Sequence, residues 1–182
     1  KMGLPINKLI CASNVNKVLT DFIETGVYDR NRDFYATCSP SMDILISSNL
    51  ERLLYMLTDQ NDAQIREWFG SLAETGKYEV NDEVKKVLKE EFFGGYCDDD
   101  QTKATISEIY KKYSYTCDTH TAVAVKVYED YKKATGDETK TLIASTASPY
   151  KFSASVLEAI EGKKSDLDEY DMVARLAAVS YT

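Results

Sequence analysis

The sequence predicts an α/β fold with an incomplete sheet, and three observations carry that reading. Leu9-Ile10-Cys11-Ala12-Ser13 and Thr141-Leu142-Ile143-Ala144 are short apolar runs of strand length and composition. The rest of the chain is mostly amphipathic, with apolar residues at 3.6-residue spacing. Strand, then helices, then strand and helix is the α/β order, and so few strands over 182 residues leave the sheet short of members.

The elements follow in order. Gly3-Leu4-Pro5 leads into the first strand, and Asn14-Val15-Asn16 turns out of it. Over residues 17–25, Val18, Leu19, Phe22 and Ile23 recur at helical spacing, and Gly26 supplies the stop. Residues 27–37 have no period and read as a loop. Ser39-Pro40 opens a strong helix: Ser39 can cap it, Pro40 suits its first position, and Asp43 lies in its positive first turn. Met42, Ile46, Leu50, Leu53, Leu54 and Leu57 give it one continuous apolar face.

Residues 59–100 carry two amphipathic helices, one with Ile65, Trp68, Phe69 and Leu72, the other with Val84, Val87, Leu88 and Phe92. Gly76 separates them and Asn81 can cap the second. With no strand between them, they read as an insertion on the α/β frame. Phe92-Phe93-Gly94-Gly95-Tyr96-Cys97 is a strand or a buried crossing. After Asp98-Asp99-Asp100, a helix places Ile106, Ile109, Tyr110 and Tyr113 on one side. Asp118 caps a further helix, where His120, Ala124, Val127, Tyr128 and Tyr131 share a face and Gly136 ends it. The second strand, residues 141–144, breaks into Ser145-Thr146-Ala147-Ser148-Pro149, and a helix follows with Phe152, Val156, Leu157 and Ile160 inward. Ser165-Asp166-Leu167-Asp168 resembles a capping box. The last helical pattern, with Met172, Val173, Leu176 and Ala177, runs almost to Thr182 with no stop signal, and the chain opens abruptly on Lys1-Met2-Gly3. The missing stop suggests truncation, and the opening is no natural leader.

Composition narrows the function classes. With 43% hydrophobic and 29% charged residues the balance is globular. A net charge of -8, with Lys and Arg scattered, argues against nucleic acid and anionic membranes as partners, because both need clustered cations. Cys11, Cys38, Cys97 and Cys117 are far apart, and one histidine cannot complete a zinc site with them. Reduced thiols, no long apolar run and no leader segment point to a soluble cytoplasmic protein.

Each chemically suggestive segment has a plainer reading beside it. Ser145-Thr146-Ala147-Ser148-Pro149 lies at the C-terminal end of a predicted strand, where open α/β sheets place ligands. On residue chemistry alone, hydroxyls that cap the next helix are the preferred reading. His120 beside Asp118 could be a catalytic imidazole, but it leads an apolar stripe, so a core histidine is preferred. Asp98-Asp99-Asp100 lacks the glycine and pattern of a calcium loop and reads as helix-entry acids. Asn14 and Asn16 could face a ligand, yet asparagine is common in turns. Ser39 and Ser41 have no base nearby in sequence, and no glycine-rich nucleotide loop is present.

Four segments, taken in order, resemble threonine synthases. They are Gly3-Leu4-Pro5 through Ala12-Ser13-Asn14-Val15-Asn16, Ala36-Thr37-Cys38-Ser39-Pro40-Ser41-Met42-Asp43-Ile44, Thr119-His120-Thr121-Ala122-Val123-Ala124, and Ser145-Thr146-Ala147-Ser148-Pro149-Tyr150-Lys151-Phe152. The resemblance implies the C-terminal part of an enzyme of fold type II, the tryptophan synthase β-like group. Such an enzyme converts O-phospho-L-homoserine and water into L-threonine and phosphate on pyridoxal 5'-phosphate (PLP).

In that group the cofactor lysine and the glycine-rich phosphate loop precede the segment seen here. The resemblance therefore implies a fragment, inactive by itself, whose Lys151 is not the anchoring lysine. It implies that residues 1–58 and 119–182 are parts of the PLP-binding α/β domain, with 59–118 a mainly helical insertion. It also reverses the plainer reading at one residue: the family's threonine that faces the pyridine nitrogen corresponds to Thr146. Many relatives have histidine where Ser148 stands, and Asn14, Asn16, Ser41, Asp43 and His120 match family segments without an implied ligand role. Other readings are another fold type II enzyme (threonine dehydratase, cysteine synthase or tryptophan synthase β chain), which the His120 and Thr146 segments oppose, or a non-catalytic helical binding module.

Overall fold

The computed structural model describes residues 3–180. The features read at Lys1, Met2 and Thr182 lie outside them. The chain forms two compact units, one built from residues 3–35 and 43–96, the other from 36–42 and 97–180.

In the first unit, strand β1 (Leu9–Ser13) pairs in parallel with β4 (Phe92–Tyr96), Leu9 opposite Phe92 and Ser13 opposite Tyr96. The run ending at Tyr96 is thus a strand. Helix α1 (Val18–Thr25) follows the turn after β1 and packs on both strands. Its close approach to β4 suits glycine: a Cβ on Gly94 would lie 3.0 Å from Thr20 Cα and 3.1 Å from its carbonyl oxygen. The Thr20 hydroxyl closes the contact by donating to the Gly95 carbonyl at 2.9 Å. Gly26, at φ 75°, ends α1 as expected.

Residues 27–37 contain a strand that periodicity did not predict. Strand β2 (Val27–Asp29) pairs antiparallel with β3 (Lys77–Glu79), placing Tyr28 opposite Tyr78. Three residues are too few to show alternation; side-chain packing holds them. The two tyrosine rings stack with centroids 5.4 Å apart, Phe22 meets both edge-on, and Trp68 stacks on Tyr78 at 6.2 Å. Around this aromatic centre pack α2 (Leu50–Leu57), α3 (Asp62–Thr75) and α4 (Asp82–Glu91), burying Leu50, Leu54, Ile65, Leu72, Val84 and Leu88. Asn81 caps α4 by accepting the Val84 amide, as its position predicts. Since β3 lies between α3 and α4, the helices of 59–100 are not free of strands.

The long helix expected from Ser39 does not form. Pro40–Met42 makes one 3-10 turn, the chain then runs irregularly, and α2 starts only at Leu50. Asp43 takes no part in a helix first turn; its carboxylate accepts Asn14 Nδ2 at 2.7 Å and Asn16 Nδ2 at 3.1 Å. The Tyr28 hydroxyl donates to the Leu45 carbonyl and accepts the Ser47 amide, which takes those two backbone groups from a helical ladder. Ile46, expected on the apolar face, is 49% exposed.

The second unit is helical. Helix α5 (Asp99–Tyr113) packs on α6 (Thr119–Thr135) and α7 (Ser153–Glu161), and α7 packs on α8 (Glu169–Ser180). Ile106, Ala122, Val156, Leu157 and Leu176 form its core. Asp98 and Gln101 make a reciprocal capping box on α5, so the acidic triplet is a helix entry. The cap on α8 falls at Asp168, which accepts the Asp171 amide; Ser165, the expected cap, lies upstream of the helix. Residues 141–144 are not a strand: no described strand of this unit offers them a ladder, and Leu142 is fully exposed.

Candidate cofactor site

The start of α6 is organised by a buried carboxylate. Asp118, 1% exposed, accepts the backbone amides of His120 at 2.8 Å and Thr121 at 3.2 Å, and its second oxygen accepts the Thr121 hydroxyl. An aspartate at this position satisfies donors that the helix leaves unpaired, and the helix dipole favours its charge. The Thr121 and Ser145 hydroxyls are 3.0 Å apart. The Thr121 hydroxyl thus faces both the Asp118 carboxylate and the Ser145 oxygen as donor.

His120 is buried, as its apolar stripe predicts, with its ring 4.7 Å from that of Phe152. Its Nε2 lies 3.1 Å from the Ser41 amide, which donates to it. In the neutral ring the proton therefore sits on Nδ1, which lies 3.3 Å from both the Thr119 hydroxyl and an Asp118 oxygen. With both nitrogens engaged by protein, His120 binds the 36–42 segment to α6; it is no free base.

Beyond Ser145 the chain turns. Ser148 precedes a 3-10 turn, Pro149–Phe152, that leads into α7. Thr146 is exposed, and no described residue hydrogen-bonds its hydroxyl. The two adjacent hydroxyls thus differ: Ser145 is tied to α6 and Thr146 is free. The segments around Ser41, His120 and Ser145, scattered in sequence, meet in this one unit. Thr121 was missed as a participant; its only signal was the Asp-x-x-Thr spacing from the cap.

Asn14, Asn16 and Asp43 gather in the first unit. Asn14 Oδ1 accepts the Asn16 amide, and the Asn16 side chain bonds both Tyr35 backbone groups, donating to the carbonyl at 2.8 Å and accepting the amide at 2.9 Å. These are turn-fixing contacts between protein groups.

The cysteines are unpaired thiols with raised pKa values. Burial, with Asp99 adding, pushes Cys38 up to about 12, and burial with Asp118 pushes Cys117 up to about 12. Thiols held protonated are poor nucleophiles and poor metal ligands. Among the described residues no cluster of His, Cys, Asp and Glu could hold a metal, and no helix is long and apolar enough to cross a membrane.

This mixed α/β arrangement is shared with fold type II PLP enzymes. The structure is similar to that of the PLP-bound threonine synthase from Brucella melitensis, with TM-score 0.79 and 34% identity over 95% of this chain and 37% of that one. The family described as "Threonine synthase, C-terminal" matches residues 121–180. Threonine synthase from Methylobacillus glycogenes is 38% identical over 89% of this chain, and threonine synthase-like 1 from Macaca fascicularis is 38% identical over 90%. The chain spans 34% of the former and 22% of the latter. The chain is homologous to the C-terminal region of threonine synthases.

Proposed function

We propose that this chain serves as the C-terminal part of a cytoplasmic, PLP-dependent threonine synthase that converts O-phospho-L-homoserine and water into L-threonine and phosphate. In this reading residues 1–58 and 119–182 belong to its PLP-binding domain, joined by the mainly helical segment 59–118. The anchoring lysine and the phosphate loop come from sequence that precedes this chain in relatives, so the chain alone is inactive.

The observation that carries the reading is the exposed Thr146 hydroxyl, free of protein partners beside a serine that is fixed. This donor suits the ring nitrogen of PLP. A hydroxyl donates to a neutral pyridine nitrogen, whereas a carboxylate there would stabilise the protonated ring. Bound PLP would supply an electron sink for phosphate elimination and water addition, a milder one with a neutral ring. Thr146 would hold the ring in register, Ser145 and Ser148 would shape the turn around it, and Asp118 would hold α6 against the turn. Lys151 follows the turn and is not the anchor. The reading involves neither nucleic acid nor membrane.

PLP absorbance, borohydride reduction and phosphate release test it on this chain and on a longer protein that includes the preceding segment. Reductive trapping and release of phosphate from O-phosphohomoserine by the longer protein alone is the expected result. Trapping at a lysine of the short chain would overturn the assignment of the anchor.

A further inference from the structure

We propose that His120 is a positioning residue for the cofactor turn: its ring, held in one orientation, is the wall on which Phe152 seats the far end of residues 145–152. This rests on the reading that Thr146 in that turn contacts PLP. Two neighbouring residues of the α6 start meet the turn at its two ends. Thr121 meets the near end, with its hydroxyl 3.0 Å from that of Ser145. His120 meets the far end, its ring centroid 4.7 Å from that of Phe152 and the planes tilted by 53°. That separation is contact distance for a pair of rings. Thr146 lies between the two ends and is exposed.

A wall positions its neighbour only if it cannot turn. The Ser41 amide donates to His120 Nε2 at 3.1 Å, and Nδ1 lies 3.3 Å from an Asp118 oxygen and from the Thr119 hydroxyl. Flipping the imidazole would bring a carbon to the Ser41 amide and forfeit that bond, so the ring keeps one orientation. Asp118 and Thr119 are themselves buried, which makes the support rigid. Phe152 also packs against the core of this unit, so the end of the turn is held on more than one side. A second side chain anchors the 36–42 segment without reaching the turn. Asp99, in the first turn of α5, accepts the Cys38 amide at 3.1 and 3.2 Å and, among the described residues, makes no hydrogen bond to residues 145–152.

The test is the PLP dissociation constant of the full-length holoenzyme and its variants. His120→Gln keeps an acceptor for the Ser41 amide and removes the ring, while Phe152→Leu keeps an apolar side chain and removes the other ring. Each should weaken PLP binding about two- to tenfold, the worth of one aromatic contact, and shift the bound-cofactor absorption. The double variant should match either single variant, because the same contact is broken in both. Phe152→Tyr, which keeps the ring, should stay within about twofold of wild type. Asp99→Ala should lower the unfolding midpoint and leave PLP affinity unchanged, which separates positioning from loss of stability.

Thr146→Val separates this proposal from the reading beneath it. If Thr146→Val weakens PLP binding while His120→Gln and Phe152→Leu do not, the positioning role is wrong and the cofactor contact stands. If Thr146→Val has no effect, the contact itself falls. Additive losses in the double variant, or an Asp99→Ala protein that loses as much affinity as His120→Gln, would also overturn the positioning role.

Discussion

Each unit of the molecule holds one carboxylate at the centre of a polar network, and the two networks end differently. In the first, Asp43 accepts from Asn14 and Asn16, which also bond each other, and Asn16 bonds the Tyr35 backbone. In the second, Asp118 accepts from the start of α6, and its network runs outward through Thr121 to an exposed serine beside an unengaged threonine. Buried polar groups must be paired, and a cluster of protein groups around a turn does that. A network that ends at an exposed hydroxyl carries the buried scaffold to the surface, here beside an unengaged donor. That difference separates a turn-fixing cluster from a candidate site more clearly than residue type, since both contain amides, hydroxyls and acids.

The largest effect that would sharpen the contrast lies in the first unit. Phe22 is fully buried against Tyr28 and Tyr78, so Phe22→Ala should cost about 3–5 kcal/mol. Trp68, the sole tryptophan, belongs to this cluster, so its fluorescence during denaturation reads that unit directly. Next, Asp43→Ala and Asp118→Ala should each cost about 2–4 kcal/mol, because each leaves buried donors unpaired. Only Asp118→Ala should also weaken PLP binding by the full-length protein. Equal losses of affinity in both variants would remove the distinction between the two networks.

Much of this was legible in the sequence wherever the cause is local. Gly26, Gly76 and Gly136 end their helices and Asn81 and Asp118 cap theirs, because caps and left-handed stops need only neighbouring residues. The expected helix from Ser39 failed because its interruption comes from far away: Asn14, Asn16 and Tyr28 capture residues 43–47. The expected strand at 141–144 had the right composition, but a strand exists only beside another, and composition does not supply the neighbour. Strands β2 and β3 are too short for a period and depend on the stacked tyrosines. At the site, Thr146 was singled out through its resemblance to the family segment. The link from Ser145 to Thr121 spans 24 residues and no spacing rule reaches it.

A smaller effect divides the two stacked tyrosines. The Tyr78 hydroxyl is buried with no partner among the described residues, whereas that of Tyr28 bridges Leu45 and Ser47. Tyr78→Phe should be neutral or stabilising by up to about 1 kcal/mol, and Tyr28→Phe should cost about 1–2 kcal/mol. Equal losses would show that the Tyr78 hydroxyl has a partner after all.

The smallest effect appears at high pH. Cys38 and Cys117, raised from 9.0 to about 12, hold their protons in the folded state after the unfolded chain has released its own. Stability should therefore be independent of these thiols below pH 9 and fall as pH rises from 9 towards 12. Alkylation by iodoacetamide at pH 8 should be far slower in the folded protein than in denaturant. Rapid labelling of the folded chain would mean that the thiols are neither buried nor held protonated.

The most direct test of the central claim is the PLP dissociation constant of the full-length protein with Thr146 intact, changed to Ser and changed to Val. If Thr146 donates to the ring nitrogen, Thr146→Ser keeps wild-type affinity within about twofold while Thr146→Val loses about three- to tenfold. Equal affinity in all three would contradict the assignment of the site.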